Sequence, residues 1–349
     1  MGRGPTAVGC ALAGAAIVLV ASGAFYAVSR WVIAPPPTGA GGAIDAGDDP
    51  IAIDADAARA QSPPPERGGS PDRGDAEPAP YSAGDPSYRE EPDCASLADV
   101  SALASAPWPK RRAGALALSK ARYPSGVAFI DAQTDPQLEA WFGNALDTFE
   151  GTASRLEVAV HEGSHLWGIH RFDPATQSYP VRSDLTIVTK RLKNFPRSEI
   201  LKRHVDRAAD PYAHTYLDGA SGAQGFNTVL DEYNAYGHSL ASRYCTRDLI
   251  GPNTRTSARD GILAFMYYVE TYLAIARDEH PADYAAIVGD PGHRKMILVG
   301  WDRAELWLRR SADEANLGIA DATLRGWVYD PARLEELRRV RDVDRAAPR

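Results

Sequence analysis

The sequence predicts an α+β fold that is mostly helical and contains a small sheet. Beyond residue 100, apolar residues recur at steps of three and four over long stretches, which is typical of helices with one buried face. Only two short segments, 126–131 and 185–189, have the apolar, β-branched character of strands. Six of the seven Trp lie beyond residue 100, whereas Pro and Gly are concentrated in the first 93 residues. We therefore expect a folded region at 94–342, a short tail at 343–349 and an extended N-terminal region.

Residues 1–34 are predicted to form a signal peptide or a membrane anchor. No charged side chain lies between Ala7 and Val28, and these 22 residues are enough to cross a hydrocarbon core of about 30 Å. The small residues at 22–24 also suit a cleavage site. The sequence leaves both alternatives open and modestly favours an anchor that is retained in the membrane.

Residues 35–93 are predicted to form a disordered linker. They hold twelve of the 26 prolines, and thirteen acidic residues stand against four arginines between Asp45 and Asp93. Such a segment cannot bury enough apolar surface to offset the entropy of ordering it. The net charge of −8, without a basic cluster, argues against a nucleic-acid partner. We expect a tethered, extracytoplasmic protein.

The folded region is predicted to contain seven helices and two strands in chain order. The first helix spans 110–122 and is followed by a short buried strand at 126–131. A long helix is expected at 147–170, and the β-branched segment 185–189 after Pro180 suits an edge strand. The remaining helices are expected at 224–246, 257–279, 281–288, 291–310 and 331–340. The aromatic stripe of Tyr267, Tyr268 and Tyr272 is assigned to core packing.

Two cysteines lie outside the N-terminal apolar run. In an oxidising compartment, a disulfide between Cys94 and Cys245 would fix the start of the folded region to an inner helix. The alternative is a pair of buried thiols. Neither cysteine has a partner at C-x-x-C spacing, which disfavours a thiolate zinc site.

The helix at 147–170 carries His161 and His165, which are four residues apart and therefore share one face. Two imidazoles placed in this way can bind one metal ion. Glu162 is the next residue around the helix, where it can take a proton from a water that the metal activates. The apolar stripe of the helix lies on another face, so the sequence predicts a metal site at the edge of the core.

This motif resembles the His-Glu-x-x-His signature of the zincin metallopeptidases. The resemblance covers about 40 residues and implies a zinc ion, a peptide or protein substrate and a zincin-like fold. In the metzincin subgroup a third histidine follows the motif, but Arg171 occupies that position here, and His170 is one residue early. The metzincin pattern is therefore disfavoured.

The gluzincin pattern, in which a later helix supplies a Glu, fits better. Glu232 borders the apolar stripe of the helix at 224–246, and Ala235 nearly one turn later would let that helix approach the motif helix. The resemblance implies His161, His165 and Glu232 as the metal ligands, with Asp231 as the reserve for the third position.

Zincins usually add a Tyr or His that stabilises the developing oxyanion. Tyr236 is four residues after Glu232 and shares its face, so Tyr236 is the first candidate. Tyr216, His214 and His238 are the alternatives. The segment 203–225 is expected either to cover the substrate cleft of such an enzyme or to serve only as a connection between elements.

The sequence therefore predicts a membrane-tethered, extracytoplasmic zinc metalloendopeptidase of gluzincin type. Two alternatives remain at this point. One is a catalytically inactive zincin-like domain that binds a partner at the cell envelope. The other is a zinc enzyme that hydrolyses a non-peptide amide.

Overall fold

The computed structural model describes residues 91, 94, 98–105, 112–251 and 257–347. Over these residues the protein is mostly helical and has a two-stranded antiparallel sheet, which confirms the coarse fold class. The N-terminal apolar run and all of the linker except Glu91 lie outside the described residues. No helix within the described ranges has the length and hydropathy needed to cross a bilayer.

The helices and strands follow one another in a fixed order along the chain. In that order they are α1 Ser101–Ser105, α2 Arg112–Arg122, α3 Val127–Asp131, α4 Asp135–Phe142, α5 Phe149–Ile169, β1 Thr176–Arg182, β2 Leu185–Lys190, α6 Ala213–Tyr216, α7 Gly219–Gly222, α8 Phe226–Cys245, α9 Ala258–Glu279, α10 Pro281–Gly289, α11 Pro291–Arg310, α12 Asp321–Val328 and α13 Pro331–Ala346. Short 3-10 helices occupy Pro124–Gly126, Gly143–Asp147, Arg197–Arg203 and Ala315–Leu317.

The segment 126–131 is helical, so the prediction of a buried strand there is wrong. Pro124 begins a 3-10 turn, where its fixed φ suits a helix start, and α3 continues from that turn. The amide of Ala132 donates to the carbonyl of Ala128 at 3.1 Å, while Phe129 is buried. A short apolar run does not distinguish a buried strand from a buried helical turn, so the packing against α5 decides.

The motif lies on α5, which matches the helix predicted at 147–170. The helix begins after Thr148, whose hydroxyl accepts a hydrogen bond from the amide of Gly151 at 3.0 Å. Gly163 lies between the two histidines of the motif. A Cβ at this position would collide with the carbonyl oxygen of Phe129 on α3. The glycine therefore lets α3 press closely against the middle of the motif.

Helix α8 lies against α5 and runs antiparallel to it. His161 of α5 contacts Ser239 of α8. His165 lies one turn later on α5 but contacts Asp231, which lies two turns before Ser239 on α8. The order of the contacts is reversed, which defines the antiparallel arrangement. Ala235 is fully buried, as expected for a small residue at a close helix contact.

The hairpin of β1 and β2 follows α5 and packs against α8. Its register pairs Tyr179 with Ile187. Strand β2 confirms the strand predicted at 185–189, whereas β1 was not predicted. The carbonyl of Pro180 in β1 accepts hydrogen bonds from His238 Nε2 at 2.6 Å and Asn234 Nδ2 at 3.2 Å. Side chains of α8 thus fix the hairpin beside the motif helix.

The C-terminal helices complete the core. Tyr267, Tyr268 and Tyr272 of α9 are fully buried, which confirms their predicted packing role. Helix α13, expected to end near Val340, continues to Ala346.

The start of the folded region is attached to the far end of α8. Cys94 and Cys245 lie at disulfide distance, with their Cα atoms 5.3 Å apart, within the usual range for a disulfide. Glu91 is buried and forms an ion pair with Arg303 of α11, and it accepts a hydrogen bond from Trp307 Nε1 at 3.2 Å. Residues on both sides of the predicted linker boundary therefore contact the core.

Candidate metal centre

The three predicted ligands converge between α5 and α8. The Nε2 atoms of His161 and His165 are 3.2 Å apart. Glu232 Oε2 lies 3.4 Å from His161 Nε2 and 3.5 Å from His165 Nε2. All three residues are buried, so Glu232 is not an exposed helical carboxylate. The structure thus brings these residues close enough to hold one metal ion.

The size of this triangle can be compared with the size of a zinc site. Ligand atoms about 2.0–2.1 Å from a tetrahedral zinc ion lie roughly 3.3–3.4 Å from one another. The observed separations of 3.2, 3.4 and 3.5 Å match this value without any rearrangement. The donor set of two imidazoles and one carboxylate also suits zinc.

Glu232 Oε2 gives an independent test of the fit. It is buried and has no hydrogen-bond partner among the described residues. Burial alone would raise the pKa of Glu232, but the imidazoles of His165 and His161 lower it well below its usual range. Burial also opposes a charge on His165, yet Asp231 and Glu232 raise the pKa of this histidine well above its ordinary value. The centre of the cluster therefore favours a positive charge.

The contacts behind the histidines orient both rings toward the same point. His165 Nδ1 donates to Asp231 Oδ2 at 2.9 Å, because a carboxylate can only accept. With Nδ1 engaged in this way, Nε2 is the ring nitrogen whose lone pair would bind a metal ion in place of a proton. His161 Nδ1 lies 3.0 Å from Ser239 Oγ, which holds the second ring in the same way. Asp231, the predicted reserve ligand, instead contacts a candidate ligand.

The substitution Asp231→Asn tests this supporting role. The amide keeps the size of the side chain but removes the charge that aligns His165. We expect the affinity for zinc to fall about 10–100-fold, as for other residues that orient a metal ligand. Competition with a chelating dye would measure the change, with Asp184→Asn on the hairpin turn as control. Unchanged affinity in Asp231→Asn would contradict the assigned role.

Glu162 lies on α5 beside the ligands and is half-buried. Burial raises the pKa of its carboxyl group, and the nearby imidazoles of His161 and His165 oppose this. No hydrogen bond from another described residue engages its carboxylate. It is therefore free to act as a proton acceptor next to the candidate metal centre.

Tyr236 lies against the first ligand, as its spacing from Glu232 suggested. Its ring packs edge-to-face on the His161 ring, with the centroids 4.7 Å apart. Its hydroxyl is 2.9 Å from the hydroxyl of Tyr216. Burial raises the pKa of Tyr216, and the carboxylate of Glu232 raises it further. The structure thus places Tyr236 against a candidate ligand and Tyr216 against Tyr236.

The two alternative histidines have other roles. His238 is fully buried, lies 2.7 Å from Tyr123 Oη through Nδ1 and binds the Pro180 carbonyl through Nε2. Burial, together with the charge of Arg303, lowers its pKa well below the ordinary value, so His238 is a neutral core residue. His214 is exposed and contacts Asp218. Both ring nitrogens of His238 are engaged by other groups, and His214 lies at the surface.

The end of α5 shows why the metzincin pattern does not apply. The guanidinium of Arg171 stacks over the Trp167 ring at 3.5 Å, and His170 is exposed. Both side chains therefore face away from the buried ligands.

A second group of possible ligands is formed by Glu199, Glu279 and His280. Lys202 Nζ already lies 2.8 Å from Glu199 and 3.4 Å from Glu279, and Arg203 also pairs with Glu279. The carboxylates are thus neutralised by cations of the chain. This group is a surface ion-pair network.

The contact of Ser239 with His161 and the anchoring of the segment 203–225 were not predicted from the sequence. Ser239 is seven residues after Glu232, which places it on the same face of α8, so its spacing was an available signal. Asp210 anchors the segment: it accepts from Tyr268 Oη at 2.6 Å and from the amide of Tyr212 at 2.8 Å. The contact with Tyr268 joins residues 58 positions apart and has no signal in the sequence. The segment is fixed at its base, and the hydroxyl of its Tyr216 contacts that of Tyr236.

No protein-family model, curated protein or solved structure matches this chain.

Proposed function

We propose that this protein is a zinc-dependent hydrolase, a metallopeptidase of gluzincin type. In this proposal His161, His165 and Glu232 hold the zinc ion, and Glu162 is the general base. The observation that carries the proposal is the convergence of three buried ligand atoms on one point, with Glu232 Oε2 otherwise unpaired. The His-Glu-x-x-His sequence on α5 supports the same assignment.

The chemistry divides between the ion and the side chains around it. Zinc, when bound, acts as a Lewis acid on a carbonyl and lowers the pKa of water to about 7. Glu162 accepts the proton of the attacking water and passes it to the leaving amine. Its raised pKa suits both steps, because the carboxylate accepts a proton more readily than one with an ordinary pKa and still releases it to the more basic amine.

The paired phenols of Tyr236 and Tyr216 would stabilise the developing oxyanion, with one hydroxyl donating to it and the other donating to the first. Burial raises the pKa of Tyr236, which keeps its hydroxyl protonated at neutral pH. Because the two hydroxyls are 2.9 Å apart, one can accept from the other while donating to the substrate. Tyr236 was the candidate from sequence, and Tyr216 joins it as a partner.

The location that fits this enzyme is extracytoplasmic, with the N-terminal apolar segment as anchor or signal. The Cys94–Cys245 pair is compatible with an oxidising compartment. The acidic linker would then hold the enzyme at a distance from the membrane, where it could reach peptide or protein substrates.

Zinc content and hydrolysis of the purified full-length protein test the function. We expect about one zinc per chain and cleavage of an unfolded, fluorescently quenched protein substrate. Removing the metal with a chelator should abolish cleavage, and added zinc should restore it. A protein that binds no zinc and cleaves nothing when zinc is added would contradict the proposal and favour a binding role. Zinc binding without peptide cleavage would point to a non-peptide amide.

A further inference from the structure

Arg197 binds the backbone of two short helices, α6 and α7, near the candidate metal centre. It is the first residue of the 3-10 helix Arg197–Arg203 and is only 1% exposed. Its Nε donates to the carbonyls of Tyr216 at 2.8 Å and Ser221 at 2.9 Å, and Nη2 contacts Ser221 Oγ. Its own amide donates to the carbonyl of Gln224 at 2.6 Å. One arginine therefore joins the ends of α6 and α7.

These contacts continue to the candidate ligand His161. The guanidinium of Arg197 lies over the Tyr216 ring at 5.3 Å, while it holds the carbonyl of the same residue. The Tyr216 hydroxyl is 2.9 Å from that of Tyr236, and the Tyr236 ring packs on His161. A continuous set of contacts thus leads from Arg197 through two phenols to the metal site.

The charge of Arg197 is also linked to this site. No carboxylate of a described residue forms an ion pair with it, and its Nη1 has no hydrogen-bond partner in the described part of the chain. Burial lowers the pKa of Arg197, and the carboxylate of Glu232 opposes this most strongly. A buried charge normally requires a nearby partner of opposite sign. For Arg197, the carboxylate that stabilises the positive charge most strongly is that of Glu232, the candidate third ligand.

We propose that Arg197 is a positioning residue that holds the Tyr216 hydroxyl where it can take part in the reaction. This inference rests on the proposed hydrolase function, in which the two phenols stabilise the oxyanion. Arg197 touches neither ligand histidine, so its effect on turnover passes through Tyr216. A guanidinium suits this task because its planar set of donors binds two carbonyls and a hydroxyl at once.

A double-mutant cycle on the full-length protein tests the route of this effect. Tyr216→Phe removes the hydroxyl and should lower kcat about 10²-fold with KM and zinc content unchanged. Arg197→Lys keeps the charge but cannot hold both carbonyls, and it should lower kcat nearly as much. The double variant Arg197→Lys/Tyr216→Phe should lose no more than Tyr216→Phe alone, because the hydroxyl that Arg197 places is already absent.

Arg243 supplies the matched control. It is also buried and donates to backbone carbonyls, those of Gly251 at 3.1 Å and Ser154 at 3.4 Å, but it contacts neither phenol. The loss of kcat in Arg243→Lys should multiply with that of Tyr216→Phe. If the losses of Arg197→Lys and Tyr216→Phe also multiply, Arg197 has only a structural role and the inference is overturned.

A measurement without turnover separates this inference from the proposed function. With 3-fluorotyrosine at position 216, the ¹⁹F resonance of the metal-free protein reports the surroundings of this ring. We expect the resonance to move or broaden in Arg197→Lys and to stay unchanged in Arg243→Lys. An unchanged resonance in Arg197→Lys would overturn the inference. A shifted resonance in a protein that hydrolyses nothing would support the positioning while contradicting the hydrolase function.

Discussion

Replacing Glu162 with Gln is expected to abolish hydrolysis while leaving zinc bound. The amide has the same shape as the carboxylate but cannot accept a proton from water. The candidate ligands His161, His165 and Glu232 keep their contacts, because none of these contacts involves Glu162. Loss of a general base lowers kcat by about 10²–10⁴-fold. Metal analysis and steady-state kinetics on the same preparation measure both quantities.

Glu157 provides the control for this experiment. It lies on the same helix, is half-buried like Glu162, and burial raises its pKa against the opposing charge of Arg243. Its nearest cation is Arg243 Nε at 3.7 Å, so its role is to link α5 to α8. Glu157→Gln should retain turnover. An active Glu162→Gln variant would rule out the mechanism, and an equal loss in Glu157→Gln would show that the effect is not specific.

The long helices could be predicted because their period is repeated many times. Helix α5 spans Phe149–Ile169 and α8 spans Phe226–Cys245, both within about two residues of the expected bounds. The prediction for the segment 126–131 failed because its four apolar residues, 127–130, fit a buried turn of helix as well as a strand. Strand β1 was missed because Pro180 and polar residues obscure its alternation, and contacts with α8 stabilise it.

The candidate site could be predicted in part for a similar reason. The four-residue spacing places His161 and His165 on one face of a helix. Glu232 was predicted as the third ligand because it borders the apolar stripe of another helix. The sequence alone could not assign Asp231 to His165 or Tyr216 to Tyr236, because each pair joins elements far apart in the chain. Such contacts depend on how α8 and the segment 203–225 pack.

The substitution Glu232→Ala is expected to remove tight zinc binding. The site would lose one of three protein ligands, and the charge that balances the ion would be lost with it. We expect affinity to fall by more than the roughly 100-fold limit for residues that merely orient a ligand. Asp231→Ala is the comparison. Asp231 accepts a hydrogen bond from His165 Nδ1, so its removal should lower the affinity for zinc less than Glu232→Ala does. Competition with a chelator measures the zinc affinity of both variants and shows which substitution weakens binding more.

Thermal unfolding tests the same assignment through stability. Zinc that binds the folded state alone stabilises it by about 2.7 kcal/mol at a concentration 100 times its Kd. The wild-type protein should therefore show a rise in Tm when zinc is added, and Glu232→Ala should show almost none. Each protein is compared with its own metal-free form, because removing Glu232 also removes the interactions with His161 and His165 that lower its pKa. A full zinc-dependent rise in Glu232→Ala would mean that another residue is the third ligand.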